Sequence, residues 1–287
     1  MRRLVVLVAM ACGGRADEPQ APSDPVTPWT PPAGPAGALA TEGPPVVDGP
    51  SEVSGLGALG DGRVAPDDSG SPPGLGVTGP LGASPRWLPS VGVWVDPEDL
   101  AIGPGPDGAP AVWVGDIGNN ARIRQTVTLW AFPVDQIEAG ALDEPVTVTA
   151  TWDGVSPDAE SLLIDPLTSQ ALVIAKAVDD ATVYAVDLTG GALAPVAVAR
   201  TPDGEPLPIT TGAALSPGGG WVAVRSYTQL WLWPKDPAAP VVTAFDETPC
   251  ELEMVSQRQG ETITFLDDRT LATWSEGGEE PVWTIAW

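Results

Sequence analysis

The chain has no histidine. That removes Ser-His-Asp and Cys-His catalysis, His-ligated zinc, haem on a proximal histidine, and any imidazole pH switch. Cysteine is nearly absent too, with only Cys12 and Cys250. Two cysteines cannot build a zinc-thiolate cage or a disulfide framework. Positive charge is scarce: 13 Lys and Arg stand against 38 Asp and Glu, a net charge of −25. Such a polyanion repels phosphate backbones, so nucleic acid is not an expected partner. Long apolar runs are missing as well. The longest near the start, Leu4 to Ala11, is far short of the roughly 20 residues that span a bilayer as a helix. No haem, zinc, flavin or nicotinamide cofactor is expected.

Glycine and proline are abundant instead, at 33 and 34 residues, and neither suits a helix interior. The chain opens Met1-Arg2-Arg3, an eight-residue apolar run, then Cys12-Gly13-Gly14. Residues 1–12 therefore look like a lipoprotein-type export signal with Cys12 as the lipidation site. The competing reading is an ordinary signal peptide and a soluble secreted product. Residues 13–50 hold 16 Gly or Pro and show no apolar periodicity. Such a segment buries too little apolar surface to offset its ordering entropy and reads as a disordered stalk.

Residues 51–287 read as one domain. An acidic residue, a short apolar strand and a Pro/Gly turn recur there, opening at Glu52, Glu98, Glu160, near Gly212 and at Glu261. The openings lie 46 to 62 residues apart, and those at Glu98, Glu160 and near Gly212 are each followed by three further strand-like runs rich in Val, Ile, Trp and Thr. Four-stranded units of this length are propeller blades. The expected fold is all-β: a β-propeller of about five blades with about four strands each. A β-sandwich is the alternative. Val241 to Ala244 is the expected outer strand of the fourth unit. The last unit lacks a fourth strand, and Pro45 to Asp48 is expected to supply it by pairing with Trp283 to Trp287.

Several runs resemble a family. Asp67-Asp68-Ser69-Gly70, Asp96-Pro97-Glu98-Asp99-Leu100-Ala101 and Gly115-Asp116-Ile117-Gly118-Asn119-Asn120 are similar to runs in exported bacterial propellers of the phytase-esterase-like group. Asp158-Ala159-Glu160-Ser161-Leu162 and Gln259-Gly260-Glu261-Thr262-Ile263 look like that group's later openings, and gluconolactonase-type propellers are more distantly similar. The resemblance implies a propeller over residues 51–287 and no single reaction. Asp67 and Asn119 depart from the group's pattern, which has Asn and Asp there.

In a propeller the innermost strands line a central channel. Glu52, Glu98, Glu160 and Glu261 are then expected at its mouth, with Asp68, Asp116, Lys176, Arg225 and Glu276 at the ends of the next strands. Glu98, Asp116, Asn119 and Glu160 form a hard oxygen set suited to Ca²⁺, with no soft ligand to compete. Glu52, Asp68, Lys176, Arg225, Glu261 and Glu276 are the other ligand-binding candidates. Three readings stand side by side. The ring can be structural, with carboxylates pairing Lys176 and Arg225. It can bind a metal ion, a small anionic ligand, or a protein or glycan partner. Or Glu98, Asp116 and Glu160 can serve a metal-dependent hydrolase of phosphate esters, carboxylic esters or lactones. Arg124 is expected on a solvated rim and Cys250 as a buried, inert thiol. The protein is expected to be an exported monomer held in the cell envelope by its lipid anchor alone.

Overall fold

The computed structural model describes residues 4–6, 29–46, 52–68, 72–79, 86–154, 156–178, 181–277 and 280–287. Cys12, and with it the lipidation expected there, lies outside the described residues, as does most of 1–28. The first strands are β1 (Leu4–Val6) and β2 (Leu39–Pro45). Consecutive antiparallel meanders follow. The first is β3 (Gly57–Leu59), β4 (Gly62–Pro66), β5 (Gly74–Thr78) and β6 (Arg86–Pro89). The second is β7 (Pro97–Pro104), β8 (Pro110–Asp116), β9 (Thr126–Pro133) and β10 (Val146–Trp152), with a short helix α1 (Val134–Ala139) before β10. The third is β11 (Ala159–Asp165), β12 (Gln170–Ala175), β13 (Thr182–Asp187) and β14 (Gly191–Val198), and the fourth β15 (Thr210–Leu215), β16 (Trp221–Ser226), β17 (Gln229–Pro234) and β18 (Cys250–Glu253). The last is β19 (Thr264–Asp267), β20 (Thr270–Thr273) and β21 (Pro281–Ala286).

The outer strands β10 and β14 pair in parallel, Ala150 opposite Gly191 through Trp152 opposite Leu193. This joins the second and third meanders into one eight-stranded sheet and hides two strand edges that would otherwise be open. The last sheet is completed from the other end of the chain. Strand β2 runs antiparallel to β21, Leu39 opposite Ala286 and Glu42 opposite Trp283, and β1 adds outside β2.

The meanders stack in cyclic order, and a separate apolar cluster fills each gap. Leu75 and Leu88 meet Val112 and Phe132 between the first and second, and Leu129 meets Leu162 between the second and third. Leu172 and Val183 meet Trp231 and Trp233 in the next gap, and Leu230 meets Phe265 and Ile285 in the one after. Val53 and Leu56 meet Trp274 and Val282 in the gap that closes the circle. Each innermost strand (β3, β7, β11, β15, β19) lies against the next, and β19 returns to β3. A lone sheet cannot bury both faces, and stacking in a ring does so while large Trp side chains fill the wedges. This is a propeller-type β architecture, not a sandwich.

Three expectations are corrected. Val241–Asp246 is a 3₁₀ helix, and Cys250–Glu253 is the outer strand of the fourth meander. Pro240 precedes the helix with φ −54°, and the Val241 N–H goes to the Asp165 carboxylate at 2.8 Å, so that segment has left the ladder. The closing strand is Leu39–Pro45, in which Leu39 to Glu42 lie opposite Ala286 to Trp283; of the expected segment Pro45 pairs with Pro281, the Val46 N–H donates to the Glu280 carbonyl and 47–48 lie outside the described residues, so the domain reaches back into the segment expected as stalk. Ala38 and Ala40 are buried in it. Cys250 is buried but is not a free thiol.

Candidate functional site

The innermost strands of three neighbouring meanders begin with the same irregularity. Their registers to the next strand shift between Pro97 and Asp99, between Ala159 and Ser161, and between Thr210 and Gly212. The extra residues are Glu98, Glu160 and Thr211. A bulge of this kind re-aims a side chain that the pleat would otherwise send into a neighbouring layer. Here it brings the Glu98 and Glu160 carboxylates together at one end of the axis.

Two groups of carboxyls meet there. Glu98, Asp158 and Glu160 each offer an oxygen within 4.8 Å of the others, and so do Asp68, Asp96 and Glu98. Glu98 belongs to both. Its side chain is nine-tenths buried at 5% exposure, and among the described residues no hydrogen-bond donor reaches its carboxylate. Burial, then the neighbouring Glu160, Asp68 and Asp96 charges, push its pKa up to about 11. Burial also raises Asp96, against the pull of Arg124.

Glu160 is different because it has a counter-charge. The Lys176 ammonium donates to its Oε1 and to the Tyr227 hydroxyl at 3.2 Å. Burial still pushes Glu160 up to about 8 against Lys176. Lys176 is raised in turn: burial disfavours its charge, but Glu160 and Tyr227 outweigh that. The Tyr227 hydroxyl donates onward to Glu261 Oε1 at 3.1 Å, which also accepts from Gln259 Nε2. Burial and Glu261 push Tyr227 up to about 12. Glu276 is hydrogen-bonded to Glu261, and burial with that bond pushes it up to about 8. Glu52 is exposed at the rim, within electrostatic reach of Glu276.

Other expected members are engaged elsewhere. Asp116 accepts from the backbone N–H groups of Val95 and Asp96, both at 2.9 Å, and pairs with Arg124 at 2.7 Å. Arg124 also donates to the Gly118 and Asp116 carbonyls, so it braces the loop and is not a solvated rim residue. Asn119 spends its Oδ1 on the N–H groups of Ile123 and Arg124 and its Nδ2 on Ser156 and Pro157. Asp116 and Asn119, expected among the metal ligands, thus lie outside both carboxyl groups. Their role is indirect: Asp116 holds the 95–96 backbone beneath Asp96, and the Asn119 N–H donates to Asp158 Oδ1 at 2.7 Å. Arg225 is fully buried and makes no ion pair among the described residues. It donates to Gln257, Thr273 and the Thr262 carbonyl. Burial lowers it to about 9.

Four residues at the site were not singled out from the sequence. Asp96 and Asp158 each stand two positions before a mouth glutamate, and the repeated Asp-x-Glu spacing was a usable signal, since i and i+2 share a strand face. Tyr227 carried no signal. Asp99 is the fourth. Its carboxylate, with no exposure, accepts from Leu100, from Leu162 at 2.8 Å and from Ala213 at 3.1 Å, tying three inner strands together across the axis. Burial pushes its pKa up against those three donors. The far ends of the same strands enclose an apolar cavity of about 330 Å³, lined by Leu56, Ile102, Leu163, Ile164, Leu215 and Phe265 among others. The axis is therefore acidic at one end, tied at the middle and apolar at the other.

No protein-family model and no curated protein matches the chain. Among solved structures it is similar to a structural-genomics protein of unknown function from Bacteroides thetaiotaomicron. The identity is 8%, over 85% of this chain and 72% of that one, with a TM-score of 0.48. It is also similar to a gluconolactonase from Xanthomonas campestris, at 16% identity over 78% of this chain and 68% of that one, with a TM-score of 0.44. At these values neither speaks to the chemistry of this site.

Proposed function

We propose that the protein is an exported five-bladed propeller whose acidic axial mouth binds a divalent cation at Glu98, Asp158 and Glu160. One observation carries the reading. Among the described residues no hydrogen-bond donor reaches the buried Glu98 carboxyl, which without a cation is held as the neutral acid, so a divalent ion can take the place of its proton. An equilateral set of oxygens 4.8 Å apart has its centre about 2.8 Å from each, so a small closure reaches the 2.3–2.6 Å of calcium–oxygen bonds. The octahedral 2.0–2.1 Å shell of Mg²⁺ fits less well. All-oxygen donors without His or Cys agree with a hard ion. The test is thermal unfolding of chelator-treated protein with and without CaCl₂. The midpoint should rise for wild type and stay in place for Glu98→Gln. No rise in wild type overturns the reading.

A second reading is favoured by Lys176 and Tyr227, which stand at the edge of the carboxyls with one ammonium and one hydroxyl. Such a pair suits the anionic group of a phosphate ester, carboxylic ester or lactone polarised by the ion. Turnover of a panel of these compounds that is lost in both Glu98→Gln and Lys176→Met supports hydrolysis. No turnover with any member leaves the site as a binding site. Export is tested by cell fractionation: the protein should be recovered outside the cytoplasm, and recovery in the cytoplasm overturns it.

A further inference from the structure

Six large apolar side chains among the described residues are more than half exposed, and five of them stand at the acidic end of the axis. Val91 (57%), Val93 (78%) and Val95 (54%) lie on the connection from β6 to β7, Ile123 (76%) on that from β8 to β9, and Val178 (73%) on that from β12 to β13. All three connections sit at the end where β7 and β11 begin, so these tips flank Glu98 and Glu160. The sixth, Leu167, is at the other end. Exposed apolar residues scattered singly are ordinary, whereas a group at one end marks an interaction surface. The display is also held in place. The Ser90 N–H donates to the Pro73 carbonyl and the Val95 N–H to Asp116, both at 2.9 Å. Between them Trp94 turns inward onto Trp130, with ring centroids 5.1 Å apart, and its neighbours Val93 and Val95 are left facing out. The Asn119 Oδ1 accepts from the Ile123 and Arg124 N–H groups, which fixes the turn that presents Ile123 and the exposed Arg122.

Resting on the single-ion reading above, we propose that this end of the propeller docks on a phospholipid surface, with a headgroup phosphate completing the shell of the ion at Glu98, Asp158 and Glu160 and the Val and Ile tips entering the acyl boundary around it. Charge complementarity supports a phosphate. Calcium takes about six to eight oxygens, more than three carboxyls fill, and phosphate oxygens belong to the same hard class. At a net charge of −25 the chain is repelled by an anionic membrane. The ion offsets the carboxyls at the point of contact, and Arg122 brings a guanidinium to the next phosphate. Docking therefore needs calcium, and its strength is the sum of that attraction and the apolar area buried. Shape supports a surface over a small amphiphile. Each tip is more than half open to solvent, so the tips project from three connections instead of walling the kind of cleft that buries a small ligand. A protein partner fits less well. The cores of protein interfaces are poor in charge and rich in aromatic side chains, whereas here the centre is a set of carboxyls and Trp94 is turned in.

Flotation of the full chain with vesicles of phosphatidylglycerol and phosphatidylcholine tests the docking, and thermal unfolding in the same buffers tests the ion separately. Wild type should float with the vesicles in CaCl₂ and stay in solution in chelator. Val93→Ser combined with Ile123→Ser removes two tips without changing charge. It should cut the vesicle-bound fraction by about tenfold or more, the scale expected for withdrawing two branched side chains from an apolar layer. It should keep the wild-type rise in unfolding midpoint with CaCl₂, whereas Glu98→Gln should lose both the rise and the flotation. Both tips are exposed, so the double variant should unfold at the wild-type midpoint in chelator, which confirms that it is folded. A midpoint that rises with CaCl₂ without any flotation overturns the docking and leaves the single-ion reading standing. Flotation that survives the double serine variant also overturns it, since bridging to headgroups alone then suffices. A calcium-dependent dimer that forms in place of flotation, and that the double variant abolishes, assigns the tips to a second copy of the chain and overturns it too. No rise in midpoint overturns both readings.

Discussion

Replacing Asp99 tests how the axis is held. In the native protein its two carboxylate oxygens accept from the Leu162 and Ala213 N–H groups on two other inner strands, and from its own neighbour Leu100. Asp99→Ala leaves the two inter-strand donors in a site without water exposure. A buried donor left unsatisfied costs about 1–3 kcal/mol, so the pair should cost about 2–6 kcal/mol. Against typical stabilities of about 5–15 kcal/mol this is a large fraction. With urea slopes of about 1–3 kcal/mol/M, the denaturation midpoint should fall by about 1 M or more. Asp99→Asn should lose less than Asp99→Ala, because the Leu162 and Ala213 N–H groups share Oδ2, so an amide oxygen in that place keeps both and the NH₂ turns only toward the Leu100 N–H. The matched control is Ser161, the same position in the third meander, whose buried hydroxyl makes no hydrogen bond among the described residues. Ser161→Ala should be neutral or slightly stabilising. Equal midpoints for wild type and Asp99→Ala, within about 0.5 kcal/mol, would refute the reasoning.

Three further outcomes follow from the same contacts. Gly212→Ala should destabilise by about 1–3 kcal/mol in thermal or urea unfolding, because a Cβ there would lie 2.6 Å from the Glu261 carbonyl and push the fourth and fifth inner strands apart. Deleting residues 1–46 should abolish the cooperative transition seen in circular dichroism, since it removes Ala38, Ala40 and Val46 from two core clusters and the partner of β21. Glu276 gives a pH signature. Its folded pKa, about 8, lies above its ordinary 4.5, so the folded state holds more protons in between and stability falls as pH rises through that window. The wild-type midpoint should drop relative to Glu276→Gln between pH 5 and 8, and a constant difference between the two would contradict the shift.

The parts of the fold legible in the sequence are those written in local pattern. Val, Ile, Trp and Thr runs between Gly and Pro turns marked most strands, and the recurring acids at 98, 160 and 261 marked the axial mouth. The parts that were not legible depend on tertiary partners. Leu39–Pro45 contains one Gly and two Pro and reads as linker, yet it is a strand because β21 offers it a ladder and Ala40, opposite Ile285, is buried in the cluster they share. Val241–Ala244 has strand composition, yet the distant Asp165 carboxylate captures its first N–H. At the site, the strand period alone gives the acids a common end but not their aim. The bulges at Glu98 and Glu160 do that, and a bulge leaves no mark in residue type. Asp116 has the charge of a ligand, but two backbone N–H groups and Arg124 take its oxygens, a fact that belongs to the loop's path and not to its composition.

The most direct measurement is a crystal grown or soaked in CaCl₂, with anomalous differences collected at a long wavelength. A peak enclosed by Glu98, Asp158 and Glu160 is the predicted result. A map with no peak at the axial mouth, and Glu98 still without a partner at saturating calcium, would contradict the account.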